Sequence, residues 1–284
     1  MKTAFVFPGQ GSQSVGMGKD LAESYLDQAN QILGFDLKKI CLEGPEEVLK
    51  KTEITQPAIL SVSVAALVKL ADKPTAVAGH SLGEYSALVA AGSLKFEDAV
   101  KIVHLRGKFM QEAVPLGEGA MSAILGGDKD KIIAICAEVG NVWPANFNSP
   151  GQIVISGKKD AVETAGVKIK EAGAKRVIPL AVSAPFHCPL MQPAADKLKV
   201  ELAKVEIKDA TIPVVANVTA DYVTKAEQIR DLLYKQVTSP VRWEESVKKM
   251  IADGITSFIE VGTGTVLAGL IKKIDKNVEV KSCI

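Results

Sequence analysis

The chain has 284 residues, with 34 Lys+Arg against 33 Asp+Glu and a formal net charge of +1. So even a balance supplies no overall field for nucleic acid or an anionic membrane, and neither is expected as a partner. With 47% hydrophobic and 24% charged residues, the composition is that of a folded globular protein rather than a disordered one, and the length allows one large domain or a large one plus a small one.

The first element is the apolar run Thr3 to Phe7, stopped by Pro8-Gly9. It predicts a buried strand that delivers the chain into the loop Gly9-Gln10-Gly11-Ser12-Gln13. The four apolar residues before Pro8 are too few for a signal peptide. No stretch approaches the roughly 18 apolar residues of a membrane span, so the cytoplasm is the expected location. The run Ile59 to Leu70 is apolar on nearly all faces and begins after Pro57, a residue suited to the first helical position, which predicts a central buried helix. Thr75 to Gly79 reads as a strand and Glu84 to Ala91 as a helix, with His80-Ser81-Leu82-Gly83 as the turn between them. A helix from Glu97 to about Val114 carries Ala99, Ile102, Val103, Phe109, Met110 and Ala113 on one face, and Arg106 falls inside that stripe.

After Gly117 and Gly119 the rhythm changes. Strand (Met121 to Leu125), helix (Lys129 to Val139), strand (Val142 to Phe147), a turn at Asn148-Ser149-Pro150-Gly151, strand (Ile153 to Ser156), helix (Lys159 to Ala172) and strand (Lys175 to Leu180) give the order βαββαβ of a ferredoxin-like unit. The chain returns through Val182 to Met191 to helix, strand (Val214 to Asn217), helix, strand (Ser257 to Val261), helix (Val266 to Ile274) and a last strand near Val278 to Lys281. Strand and helix alternating on both sides of the insert predict a parallel α/β sheet. The expected organisation is a large α/β domain from residues 1–116 and 189–284 with a small subdomain at 117–188. The four cysteines, Cys41, Cys136, Cys188 and Cys283, form no C-x-x-C pair and read as reduced thiols rather than zinc ligands.

Gly79-His80-Ser81-Leu82-Gly83 matches G-x-S-x-G, where a serine sits on a strained strand-to-helix turn with its hydroxyl projecting and the following amide free to donate. Ser81 is the candidate nucleophile, the alternative being an ordinary turn serine. A base must come from three histidines, His80, His104 and His187. Neighbours around a sharp turn point apart, which sets His80 beside the nucleophile, and His104 lies two positions from Arg106 and so on another helix face. His187, in Ala184-Pro185-Phe186-His187-Cys188-Pro189, sits in a proline-bracketed loop where a side chain can be aimed freely. No histidine follows it, so the Ser, Asp/Glu, late His order of an ordinary α/β-hydrolase is not available. Arg106 needs either a buried carboxylate partner or a substrate carboxylate to clamp. Gly9-Gln10-Gly11 and Gly262-Thr263-Gly264 complete neither G-x-G-x-x-G nor a P-loop, and the Gln10 loop can instead bring backbone N–H groups beside Ser81.

FPGQGSQ, GHSLGEYSAL, HLRGKFMQ, NFNSPGQIVISG, APFHCPLMQP and SPVRW followed by FIEVGTG occur in this order along the whole chain. Together they make the sequence resemble the malonyl-CoA:acyl carrier protein transacylases. The resemblance implies an α/β-hydrolase-like large domain and a transfer of malonyl from coenzyme A to the phosphopantetheine thiol of acyl carrier protein, for fatty acid biosynthesis. It implies Ser81 as the acylated nucleophile, His187 as its base and Arg106 as the partner of the malonyl carboxylate. Gln10 and Leu82 stand at the family's oxyanion-hole donors, and Gln236 at the residue whose main-chain carbonyl orients the histidine. Malonyl-CoA and acyl carrier protein are the implied partners, and no metal or redox cofactor is implied. Phe186 stands where some bacterial members have Ser, a position associated with choosing among acyl groups, and Thr263 replaces a frequent Pro. A serine thioesterase, an acyltransferase with another acyl-CoA preference, and a non-catalytic acyl-binding module remain as alternatives.

Overall fold

Five consecutive residues with little or no polar surface form strand β1 (Thr3–Phe7) in the middle of a sheet, where both faces are covered. The computed structural model describes residues 2–21, 23–182 and 184–283, so Ser183 of the proline-bracketed loop lies outside them. The helices α1 (Glu23–Leu33), α2 (Leu37–Glu43), α3 (Glu46–Leu49) and α4 (Thr52–Leu67) follow β1. Then come β2 (Ala76–Gly79), α5 (Gly83–Ala90) and α6 (Phe96–Glu112). A second stretch carries β3 (Gly119–Leu125), α7 (Lys129–Val139), β4 (Val142–Ser149), β5 (Gln152–Lys158), α8 (Lys159–Glu171) and β6 (Arg176–Pro179). The chain closes with α9 (Gln192–Leu202), β7 (Val214–Val215), β8 (Tyr222–Val223), α10 (Ala226–Gln236), α11 (Trp243–Ala252), β9 (Ser257–Val261), α12 (Val266–Ile274) and β10 (Glu279–Cys283).

Two sheets result. The larger has six strands in the order β10-β9-β1-β2-β7-β8, parallel except for the terminal β7–β8 hairpin. The smaller is antiparallel, in the order β4-β5-β3-β6, with α7 and α8 packed on each other and against its strands. The chain is thus a mixed α/β protein built on a parallel sheet. β4 also reaches the larger unit: Phe147 N donates to Val241 O and Val241 N to Ala145 O, both at 2.9 Å. This bridge joins the NFNSPGQ hairpin to the SPVRW segment.

Several boundaries differ from those the sequence predicts, for identifiable reasons. The buried helix begins at Thr52, which puts Pro57 inside it rather than at its first position. Pro57 cannot donate to the carbonyl four residues back. That carbonyl, Glu53 O, lies 2.9 Å from His104 Nδ1, so a histidine of α6 supplies the missing donor. α6 can come this close because residue 107 is glycine, where a Cβ would stand 2.6 Å from Thr52 O. The strand expected to reach Asn217 stops at Val215, and two helices, α10 and α11, fill the stretch read as one. Among the described residues no helix is long and apolar enough to cross a membrane. Cys41, Cys136 and Cys188 are buried free thiols, and Cys283 is partly exposed.

Candidate active site

In the parallel register Phe7 stands opposite Gly79, and Val77 and Ala78 stand opposite Val214 and Val215. The chain therefore leaves β1, β2 and β7 at the same edge of the sheet, the carboxyl edge where parallel sheets bind ligands. These exits carry Gln10, Ser81 and Asn217 respectively. The Gln10 loop runs hard against the serine turn, since a Cβ on Gly9 would lie 2.3 Å from His80 O.

The turn explains its own glycines. Ser81 has φ of 52°, a left-handed conformation that non-glycine residues seldom adopt. A Cβ on Gly79 would lie 1.9 Å from the Gly83 carbonyl carbon, and one on Gly83 would lie 2.1 Å from Phe7 O. Backbone contacts of that kind cannot be relieved by rotating a side chain. Gly83→Ala is accordingly expected to displace the turn and to cost at least the upper end of the roughly 1–3 kcal/mol typical of overpacking, measured by thermal unfolding. An unchanged midpoint would show that the turn adapts without strain. Within the turn the amides of Ser81, Gly83, Glu84 and Tyr85 are already bonded, to Asn217 Oδ1, His80 O, Ser81 O and Leu82 O. The Leu82 amide stands outside that set, at the N-terminal end of α5, where the helix dipole favours negative charge.

His187 also has a left-handed φ, 58°. Its loop is pinned on one side by Pro185, whose ring occupies the space a Cβ on Gly119 would need, and on the other by Cys188 Sγ donating to Pro185 O at 3.0 Å. His187 Nδ1 lies 3.0 Å from the main-chain carbonyl of Gln236, which only an N–H can satisfy. That leaves Nε2 as the acceptor, and it receives the Ser81 hydroxyl at 2.7 Å. His80 Nε2 instead contacts Asn148 Oδ1 at 2.8 Å, and its ring packs against Trp243. His80 is thereby occupied beside Ser81 rather than directed at its hydroxyl.

Arg106 is 1% exposed, yet each hydrogen bond it makes among the described residues goes to a neutral oxygen. Nη1 donates to Gln56 Oε1 at 2.8 Å, and Nη2 donates to Ser81 Oγ and Gln236 Oε1, both at 3.0 Å. Its Nε has no hydrogen-bond partner among the described residues, and the guanidinium carbon lies 5.6 Å from the centre of the Tyr85 ring. The carboxylate partner that a purely structural arginine needs is not hydrogen-bonded to it. A buried cation held by amides, with an N–H edge on the serine hydroxyl, can take an anionic group presented to Ser81.

Burial, and then the Arg106 charge, push the His187 imidazole down to about 3 from its ordinary 6.5, with the Gln236 carbonyl opposing them. The imidazole is therefore neutral through the physiological range. Between pH 6.5 and 3 the unfolded chain binds a proton that the native imidazole refuses, so this group's contribution to stability is lost as pH falls. His187→Asn should remove that loss, and the stability gap between wild type and variant should shift in the variant's favour from pH 7 to pH 4. Thermal unfolding over that range checks it; a gap independent of pH would mean the imidazole titrates normally.

Ser81, His187, Arg106, Gln236 and Leu82 thus meet at one point, with the Gln10 loop alongside. Sequence reasoning missed Gln56, Glu84 and Asn217, which surround them. Glu84 and Asn217 are 2% and 1% exposed. Asn217 Oδ1 holds the Ser81 amide at 2.7 Å, and its Nδ2 donates to Gly79 O at 2.6 Å. The sequence signal for Asn217 was its place at the expected end of a strand.

The profile of the acyl transferase domain family matches residues 4–284. The malonyl CoA-acyl carrier protein transacylase of Escherichia coli strain K12 is 53% identical, over 95% of this chain and 92% of its own. A crystal structure of an acyl carrier protein S-malonyltransferase from Vibrio cholerae superposes with a TM-score of 0.96 at 50% identity, covering 99% of this chain and 96% of that one. A malonyl-transacylase solved in complex with a type II PKS acyl-carrier protein gives 0.95 at 49% identity, covering 99% and 95%.

Proposed function

Since the chain belongs to the acyl transferase domain family, we propose that it is a malonyl-CoA:acyl carrier protein transacylase serving fatty acid biosynthesis, with Ser81 as the acylated residue. The observation that carries this reading is the conjunction of the Ser81–His187 contact at 2.7 Å with a buried Arg106 that lacks a hydrogen-bonded carboxylate. A hydrolase needs the first; the second leaves the guanidinium able to take an anionic acyl group.

His187 Nε2 removes the Ser81 proton as Oγ attacks the malonyl thioester carbonyl. The oxyanion is held by the amides of Leu82 and Gln10, and the malonyl carboxylate replaces neutral oxygens on Arg106. The tetrahedral intermediate collapses, the carbon–sulfur bond breaks, and coenzyme A leaves as the thiol with the proton held by His187. The second half-reaction is the reverse with a new thiol: His187 deprotonates the phosphopantetheine of acyl carrier protein, whose sulfur attacks malonyl-Ser81, and the serine leaves protonated. The Gln236 carbonyl keeps Nδ1 protonated and Nε2 free throughout, the task an aspartate performs elsewhere. Every bond and proton balances without a metal or redox cofactor. Phe186, 7% exposed beside the base, is the position at which acyl selectivity is expected to respond.

The same reading places residues 1–116 and 189–284 in an α/β-hydrolase-like domain and residues 117–188 in a ferredoxin-like subdomain. Supporting the first is the serine turn at the carboxyl edge of a parallel sheet. Supporting the second is the order β4-β5-β3-β6 with two helices packed against the strands. The cytoplasm is the location proposed for the enzyme, a reading supported by its likeness to the malonyl CoA-acyl carrier protein transacylases.

Product analysis with malonyl-CoA separates transfer from hydrolysis. With holo acyl carrier protein present, malonyl should accumulate on the carrier; free malonate at the same rate with and without carrier would identify a thioesterase.

A further inference from the structure

The Ser81–His187 pair contains no carboxylate, yet a buried one lies two bonds of the network away and the chemistry described above does not use it. Glu84 occupies the first turn of α5, three residues after the nucleophile. Its Oε2 accepts from the main-chain N–H of Asn217 and from Gln236 Nε2, both at 2.9 Å. Those two residues are the ones that hold the reacting groups. Asn217 Oδ1 takes the Ser81 amide and its Nδ2 bonds Gly79 O, so Asn217 fixes the serine turn at both ends. Gln236 gives its main-chain carbonyl to His187 Nδ1, and its Nε2 also reaches Ser81 O at 3.1 Å. One carboxylate oxygen therefore ties the support of the nucleophile to the support of the base.

We propose that Glu84 is a positioning residue, acting through Asn217 and Gln236 to fix the Ser81 hydroxyl against His187. It touches neither dyad side chain through a hydrogen bond of its own. A carboxylate suits the task because one oxygen can accept two N–H groups at once, whereas most side chains that could fill the space cannot. Arg106 on α6 and Tyr85 on α5 are the other ionisable groups facing it, and β1, β2 and β7 contribute none. Burial raises the Glu84 carboxyl to about 7 against the bonds from Asn217 and Gln236 and the charge of Arg106. Because both bonds fall on Oε2, a proton on the other oxygen leaves the clamp standing, and the uncharged amide of Glu84→Gln can keep it too.

The inference rests on the proposed function, and the experiment separates the two. Single-turnover acylation of Ser81 is measured with malonyl-CoA and with acetyl-CoA for wild type, Glu84→Gln and Glu84→Leu, with the folded fraction taken from thermal unfolding. Absence of an acyl adduct in the wild type would defeat the functional reading itself. Given that adduct, Glu84→Leu should lower the maximal acylation rate per folded molecule by about a hundredfold for both acyl groups, the scale of a misplaced reacting group, and Glu84→Gln should stay within about tenfold of wild type. KM should be little changed in either. The His187 Nδ1–H proton resonance should shift in Glu84→Leu and stay near its wild-type position in Glu84→Gln. An unchanged rate per folded molecule in both variants would overturn the inference, as would a loss confined to the KM for malonyl-CoA. The latter would make Glu84 a counter-charge of Arg106 rather than a clamp on the dyad.

Discussion

Ser81→Ala is expected to abolish covalent malonylation, lowering transfer by on the order of 10⁴-fold or more, as losing a nucleophile does elsewhere. The fold should survive. The side chain is only partly buried, and the backbone of the turn is held by bonds that do not involve Oγ: the Ser81 amide to Asn217 Oδ1, Glu84 N to Ser81 O, and Gly83 N to His80 O. Arg106 loses one acceptor but keeps Gln56 and Gln236. Stability should therefore change by about 1 kcal/mol or less. Intact mass after incubation with malonyl-CoA, together with a thermal melt, reads both quantities. A variant that still accepts the acyl group would move the nucleophile elsewhere.

Arg106→Ala is expected to cut malonyl transfer by roughly tenfold to a hundredfold or more, since a hydrogen bond to a charged partner contributes about 1.5–3 kcal/mol. Acetyl transfer should suffer less, or rise. An acetyl group leaves the guanidinium buried among neutral oxygens, a cost that the alanine variant no longer bears. Removing a side chain this deeply buried also opens a cavity and frees Gln56 Oε1 and Gln236 Oε1, so some stability should be lost as well. The malonyl-to-acetyl ratio separates the two effects, because a folding defect scales both rates alike. A ratio unchanged beside a lower melting temperature would make Arg106 a structural residue.

The parts of this site that could be read from the sequence are those where geometry restricts the residue type. The glycines of G-x-S-x-G are demanded by backbone atoms less than 2.5 Å from where a Cβ would sit. His187 was reachable because few histidines exist and two of them point elsewhere. β1, β9, α7 and α12 fall where the apolar patterns predict. Pro57 misled because the donor that tolerates it inside α4 comes from His104, 47 positions along the chain by their numbers. Glu84 and Asn217 left no periodic trace: each is a single polar residue at the end of an element, and its meaning depends on which strand ends lie side by side. The helices α2 and α3 and the two-residue strand β8 are too short to carry a readable pattern, whereas α1, eleven residues long and amphipathic, is an element the sequence did offer.

The central claim, a malonyl group carried by Ser81 between two thiols, is tested most directly by a trap and chase. The wild-type enzyme is incubated with labelled malonyl-CoA, freed of coenzyme A, and mapped by peptide mass spectrometry before and after addition of holo acyl carrier protein. The label should sit on the peptide containing Ser81 and then pass quantitatively to the phosphopantetheine thiol of the carrier. Label on any other residue, or its release as free malonate when the carrier is added, would contradict the account.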